Sequence, residues 1–325
     1  MHIQSTSCGC PTLAAFLFLR LVWETTNLNS PSSRSRILKS SMIRILGTIF
    51  AGLLGLAFGS FLNVCLSRWP AGESIVRPRS HCRHCNRTLT WWENVPLISW
   101  LALHGRCRTC HAWIGWRYPM VELAVGALWA YVAWRSYNAF FPLEFAAGLM
   151  FLIWVLVGLA VLDAEHLWLP DAMTLPCIAL GFAWWFLQGI QVGWALSDHS
   201  AFWEDVQVAG IRLLGIVAAA GLILLIRWVY WLIRRREGIG LGDAKLMALL
   251  AAWLGLPGAL LSFVMGVFLG ALVAVVLLIV PSARRDSESW ALSKLPLGTF
   301  LCIGGIISSL WGQPILAAYL RWAGF

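Results

Sequence analysis

Eight apolar stretches, at residues 44–66, 119–137, 142–162, 172–190, 208–233, 244–256, 258–280 and 297–319, dominate the chain beyond residue 40. A membrane-spanning helix needs about 20 consecutive apolar residues. Lipid offers no partner for open backbone N–H and C=O groups, so such stretches must be helical. The expectation is an all-α polytopic membrane protein with about eight transmembrane helices. Only 12% of the 325 residues are charged and 59% are hydrophobic, whereas a soluble domain carries about 25% charged residues. The mean hydropathy of +0.74 agrees. The sixth stretch is short and leads into the seventh through Leu256-Pro257-Gly258, so it reads as a tilted or broken span. Many of the 21 Trp residues flank apolar runs, as expected for rings that favour the headgroup level.

The net charge of +9 is not spread as a nucleic-acid-binding stripe; it is concentrated in short loops, where it carries topology through the excess of Lys and Arg on the cytoplasmic side. The loop 67–118 has eight Arg against Glu73 and Glu93 and is expected to be cytoplasmic. The loop 191–207 has Asp198, Glu204 and Asp205 without Lys or Arg, and is expected outside. Arg234 to Arg236, and then Arg284, Arg285 and Lys294, return the chain to the inside. Eight spans make these assignments alternate consistently. Residues 1–41 do not fit, because the run 11–23 is too short to span and the stretch 27–41 is basic and Ser-rich. We expect translation to begin at Met42 and residues 1–41 to lie outside the native fold; a signal peptide is the competing idea. The remaining division is residues 42–118, a first span with its cytoplasmic Cys-rich loop, and residues 119–325, a catalytic transmembrane domain.

Four of the nine Cys form two Cys-x-x-Cys pairs, Cys82/Cys85 and Cys107/Cys110, separated by 21 residues. Each pair offers two thiolates from one tight turn, which suits a tetrahedral structural zinc site, and a cytoplasmic loop disfavours disulfides. The alternatives are a redox pair or unligated thiols. His81, His84, His104 and His111 are substitute ligands. Cys8 and Cys10 are scattered, and Cys65, Cys177 and Cys302 read as inert packing in apolar runs.

Two acidic residues stand out at the expected cytoplasmic boundary. Asp163 ends the third stretch and Asp243 opens the sixth, within Gly240-Leu241-Gly242-Asp243. An Asp inside a span is costly, and Asp163 meets the unfavourable end of its helix dipole. Two carboxylates brought together in a low-dielectric site share a proton, one serving as base toward water and the other as acid toward a carbonyl. That is aspartic-protease chemistry, titrating as a coupled pair. The bland readings are that Asp243 and Asp171 are helix N-caps, Glu165 faces headgroups, and Arg212, Arg227 and Lys245 snorkel.

Several segments together resemble the type IV prepilin peptidase family, leader peptidases that are also N-methyltransferases. They are Gly59-Ser60-Phe61-Leu62-Asn63-Val64 with Arg68; the paired cysteines around Asn94-Val95-Pro96-Leu97-Ile98-Ser99-Trp100; Arg117-Tyr118-Pro119 with Glu122; Asp163 with Leu169-Pro170-Asp171; and Gly240-Leu241-Gly242-Asp243 with Lys245-Leu246. The resemblance runs from about residue 43 to about 320; Gly-x-Gly-Asp alone also looks like presenilin-type proteases. It implies an aspartic endopeptidase of the bacterial inner membrane, with Asp163 and Asp243 catalytic and Asp171 supportive. Such an enzyme removes the basic leader of prepilins or pseudopilins at the cytoplasmic face. It then methylates the new amine with S-adenosylmethionine, near the cysteine loop and residues 59–64. Its partners are these substrates and membrane lipid. Two rival readings carry different expectations. A zinc-loop scaffold for a secretion complex tolerates loss of either Asp, and a transporter needs deeper carboxylates as a proton relay.

Overall fold

A computed structural model of the protein describes residues 31–139, 143–196, 200–236, 240–279 and 296–324. Asp198 and the loop carrying Arg284, Arg285 and Lys294 lie outside the described residues, as do residues 1–30; the side chains of residues 31–40, Glu204 and Asp205 are likewise not described. The helices are α1 (Pro31–Arg68), α2 (Ile98–Ala102), α3 (Arg117–Ala139), α4 (Leu143–His166), α5 (Asp171–Leu196), α6 (Ser200–Arg234), α7 (Leu241–Ile279) and α8 (Leu297–Trp322). Among the described residues there is no strand, only two isolated antiparallel bridges inside the cysteine loop. The division drawn at Met42 falls inside α1.

Segments of α1, α4, α6, α7 and α8 are long and apolar enough to cross a membrane. The stretches expected at 119–137 and 172–190 also fold as helices, α3 and α5, but are less apolar or shorter over their apolar part. α3 carries Arg117, Glu122 and Arg135, and all three side chains make contacts described below.

α4 is the axis of the bundle. Leu152, Leu156 and Leu159 join a core built with α5, α6, α7 and α8, while Ile153, Val157 and Leu162 join a second core with α1 and α3. A helix that is apolar all round is a buried one. α1 lies along α3 through small residues: a Cβ on Gly55 would stand 2.9 Å from Gly126 Cα, and one on Gly59 would stand 2.7 Å from Glu122 Cα. Such residues let helix backbones approach closely in a membrane.

The sixth and seventh apolar stretches form the two limbs of α7, broken at Gly255, whose φ of 74° and ψ of 171° are open to glycine and strained for other residues. The neighbours show that the chain reverses there. Along α8, Phe300 meets Gly270, Gly304 meets Ser262, and Ser308 donates to the Gly258 carbonyl, so the second limb runs antiparallel to α8. The first limb runs parallel to α8, since Gly305 meets Leu250 and Gly298, at the start of α8, meets Asp163 near Asp243. Both limbs therefore open to the face on which Asp163 lies.

The breaks expose backbone carbonyls, and side chains satisfy them. Pro257 removes the helical donor to the Trp253 carbonyl, which accepts instead from the Trp185 indole at 2.7 Å. Pro314 does the same to the Leu310 carbonyl, which accepts from the Arg135 guanidinium. Beside Gly255, the Ala252 carbonyl accepts from Arg212 Nη1 at 2.9 Å, and the same guanidinium lies over the Trp185 ring. Arg212 thus turns inward to the break rather than snorkelling to the surface.

Candidate active site and metal centre

Asp163 and Asp243 are both buried, with 6% and 8% of their surfaces exposed. They come from the end of α4 and the first turn of α7 and lie within electrostatic reach of each other. Asp163 sits where the dipole of its own helix disfavours an anion, and the N-terminus of α8 offsets this. Thr299 donates to Asp163 Oδ2 from its backbone N–H at 2.6 Å; its hydroxyl shares one proton between Asp163 Oδ2 at 3.1 Å and the Ala160 carbonyl at 3.0 Å, and the Gly298 backbone adds a further bond. Amides of a first helical turn aimed at a carboxylate form an anion site. Gly298 is required by space, since a Cβ there would stand 2.8 Å from Asp163 Cγ. Asp243 Oδ2 accepts from the Gly240 N–H at 3.3 Å, the reach-back of a first-turn acid to the residue before its helix. Asp243 thus caps its helix from the third position rather than as the N-cap residue itself. Cys302, one turn further along α8, is fully buried in the field of both carboxylates.

The acidic and basic residues around the pair are bound to each other. Lys245 pairs with Asp171, and Arg117 Nη1 pairs with Glu165 at 2.7 Å. Neither Glu165 nor Lys245 is left to the headgroups. Asp171 is the first residue of α5 rather than its N-cap; the Pro170 carbonyl accepts from Met173 and Thr174 instead. The Arg117–Glu165 pair also ties the end of the cysteine loop to the segment just after Asp163.

The four thiols Cys82, Cys85, Cys107 and Cys110 converge, with every pair of sulfurs within 4.8 Å. The Cys82–Cys110 and Cys85–Cys107 separations are 3.7 and 4.0 Å. A tetrahedral ion with metal–sulfur bonds of about 2.3 Å sets its ligands about 3.8 Å apart, so these residues can hold one metal ion. All four are free thiols. The two knuckles repeat one fold. Asn86 N–H returns to the Cys82 carbonyl and His111 N–H to the Cys107 carbonyl, each from a left-handed residue (φ 56° and 54°) just after the second cysteine. Asn and His tolerate that conformation better than most residues. The backbone therefore uses His111 as a turn residue. Arg87 lies beside the knuckles and pairs with buried Glu93 at 2.5 Å; that bond first, then those from Thr90, hold the Glu93 carboxyl down at about 2. In the loop, Trp100, Trp113 and Trp116 pack against one another, with Trp113 and Trp116 still 53% and 60% exposed.

Between the loop and the ends of α1 and α3 lies a cavity of about 830 Å³. Its membrane-side floor includes Ser60, Asn63 and Glu122, and its roof includes Trp100, Cys107 and Trp113. Glu122 Oε2 accepts the Leu97 N–H at 2.8 Å, and Leu97 takes φ 58° and ψ −47°. A non-glycine residue held there costs about 1–3 kcal/mol and marks a segment its surroundings over-determine. Glu122 and Asn63 were legible in the sequence only as parts of motifs. Thr299, Gly298 and Cys302 carried no signal there, because they meet Asp163 only through tertiary packing across more than a hundred residues.

These features define a polytopic membrane protein with a buried carboxylate pair and a four-cysteine loop on one face. The family model described as the type IV leader peptidase family matches residues 150–275, and that of the bacterial peptidase A24 N-terminal domain matches residues 53–136; the chain belongs to the type IV leader peptidase family. It is 35% identical over 297 residues to the prepilin leader peptidase/N-methyltransferase of Pseudomonas aeruginosa, covering 84% of this chain and 93% of that protein. To the protein of the same name from Aeromonas hydrophila it is 34% identical over 296 residues, covering 82% and 92%. To that from Myxococcus xanthus it is 38% identical over 234 residues, covering 71% and 63%. No solved structure matches the chain.

Proposed function

We propose that the chain is a bifunctional prepilin peptidase. It cleaves the basic leader of type IV prepilins or pseudopilins at the cytoplasmic face of the bacterial inner membrane, then N-methylates the new terminus, serving pilus biogenesis or type II secretion. The observation that carries this is the pair Asp163 and Asp243, two buried carboxylates from different helices opening to one face. Asp163, with three donors from the start of α8, suits the base that takes a proton from the attacking water. Asp243, with a single backbone donor, suits the acid that protonates the carbonyl oxygen. Collapse of the tetrahedral intermediate breaks the C–N bond as the leaving amine takes a proton. The loop 67–118, with its eight arginines, supports a cytoplasmic orientation. Residues 119–325 form the peptidase and residues 42–118 the methylation region.

Zinc is the metal that the four-thiolate set of Cys82, Cys85, Cys107 and Cys110 fits, and a closed site of that kind shapes the loop rather than catalyses. S-Adenosylmethionine is the methyl donor of this reading, and bound, it supplies an electrophilic methyl group. The cavity beneath the loop has the volume for a cofactor of that size, with Trp100 and Trp113 of its roof among the residues to hold it. Substrates and membrane lipid are the partners; no step calls for nucleic acid.

The test is leader cleavage of a co-expressed prepilin by wild type, Asp163→Asn and Asp243→Asn, each present in membranes at equal level. Loss of cleavage in each variant is expected. Near wild-type cleavage by either one removes the dyad assignment and makes Asp171 the next residue to examine.

A further inference from the structure

We propose that Glu122 and Asn63 form a seat for the N-terminal ammonium of the processed substrate, the group that, after giving up one proton, accepts the methyl as the donor's S–C bond breaks. This rests on the reading of leader removal followed by amine methylation, and it assigns a place for the acceptor. Glu122 is 7% exposed, and no Lys, Arg or His pairs with it among the described residues. Its bonds come from neutral donors, the Leu97 N–H, Ser60 and Asn63. A buried carboxylate without a counter-charge is costly in a membrane bundle and marks a binding position. Asn63 is 2% exposed; its Nδ2 is held by the Tyr118 carbonyl at 2.9 Å, while its Oδ1 is buried with no partner. Both side chains line the same cavity. An anion beside a vacant acceptor, both desolvated, is complementary to a cationic N–H donor and mismatched to an anionic or apolar ligand.

Three cationic groups belong to the reaction, the substrate's ammonium and the sulfonium and α-ammonium of the donor. The sulfonium has no hydrogen for Asn63 Oδ1 to accept, so the choice lies between the two ammonium groups, and position decides it. The substrate's ammonium is tethered to an apolar segment that stays in the membrane. Glu122 and Asn63 form the membrane-side floor of the cavity, on α3 and α1, whereas a soluble donor reaches it from the loop side. The same face carries Asp163, and Arg117–Glu165 joins the two regions, so a terminus freed at the dyad is delivered close to this floor.

The experiment measures binding of an apolar helical peptide, with a free or an acetylated N-terminus, to the full-length protein in detergent without donor. Wild type is expected to prefer the free amine by about tenfold or more, the range for a hydrogen bond to a charged group. Glu122→Gln, which keeps an acceptor for the Leu97 N–H, and Asn63→Leu are each expected to abolish the preference while the protein keeps its bound metal. Equal affinity of wild type for the two peptides, or a preference that survives both substitutions, overturns the proposal. So does weakened S-adenosylmethionine binding in Glu122→Gln with the amine preference intact, which assigns the seat to the donor. Wild type that cleaves prepilin but never methylates it instead removes the methyltransferase reading, and the amine preference still decides the seat.

Discussion

Asp163 owes its place to a helix that begins 134 residues later. Its end of α4 repels an anion, and the first turn of α8 supplies the donors that hold it. Thr299 contributes two of them, and only the hydroxyl can be removed by substitution. Thr299→Val is expected to lower the rate of leader cleavage by about 10-fold or more, the scale of one hydrogen bond to a charged group, while Thr299→Ser stays near wild type; time courses in membranes measure both. Glu93 shows a second residue whose charge is set by its partners. Its carboxyl is held at about 2 by Arg87 and Thr90, below the ordinary value of about 4.3. A depressed folded-state value stabilises the loop fully above the ordinary value, and that contribution is lost as pH falls through about 2. In metal-stripped protein, followed by tryptophan fluorescence, the stability difference between wild type and Glu93→Gln is therefore expected to be constant above about pH 5 and to shrink toward pH 2.

At the scale of elements, apolar length is legible in one dimension and reversal is not. The eight stretches correspond to helices because lipid leaves the backbone no alternative. The sequence shows a weak point at Leu256-Pro257-Gly258, but the turn itself is at Gly255, and its stability depends on Arg212 and Trp185 from two other helices. Proline and glycine announce a break without saying what will satisfy the carbonyls it frees. Arg212 accordingly reads as a surface residue until its partner is seen. Arg212→Ala is expected to leave the Ala252 carbonyl unsatisfied and to cost about 1–3 kcal/mol, measured as a lower Tm in detergent. The cysteine loop is the opposite case. Its ligands are close in sequence, so their convergence follows from spacing, and only the backbone use of His111 was hidden. Cys82→Ser is expected to reduce the metal bound per chain and to open residues 81–113 to proteolysis, read by elemental analysis and limited digestion.

For the whole molecule, the bundle gathers its chemistry on one face: the carboxylate pair, the cysteine loop and the cavity between them. The limb that bears Asp243 is short. From Leu241 to Leu254 it measures about 20 Å at 1.5 Å per residue, against a hydrocarbon core of about 30 Å. The turn at Gly255 therefore stops within the bilayer's depth, while α4 and α8 run on past it. Lipid does not reach that limb, because Leu246 to Ala252 are at most 7% exposed and the other helices enclose it. A helix too short to span can therefore end at mid-depth, since protein rather than acyl chains meets its last turn. Cleavage is thus expected to vary little between vesicles of shorter and longer acyl chains, because the surrounding bundle insulates the spacing of Asp163 and Asp243 from the thickness of the host membrane.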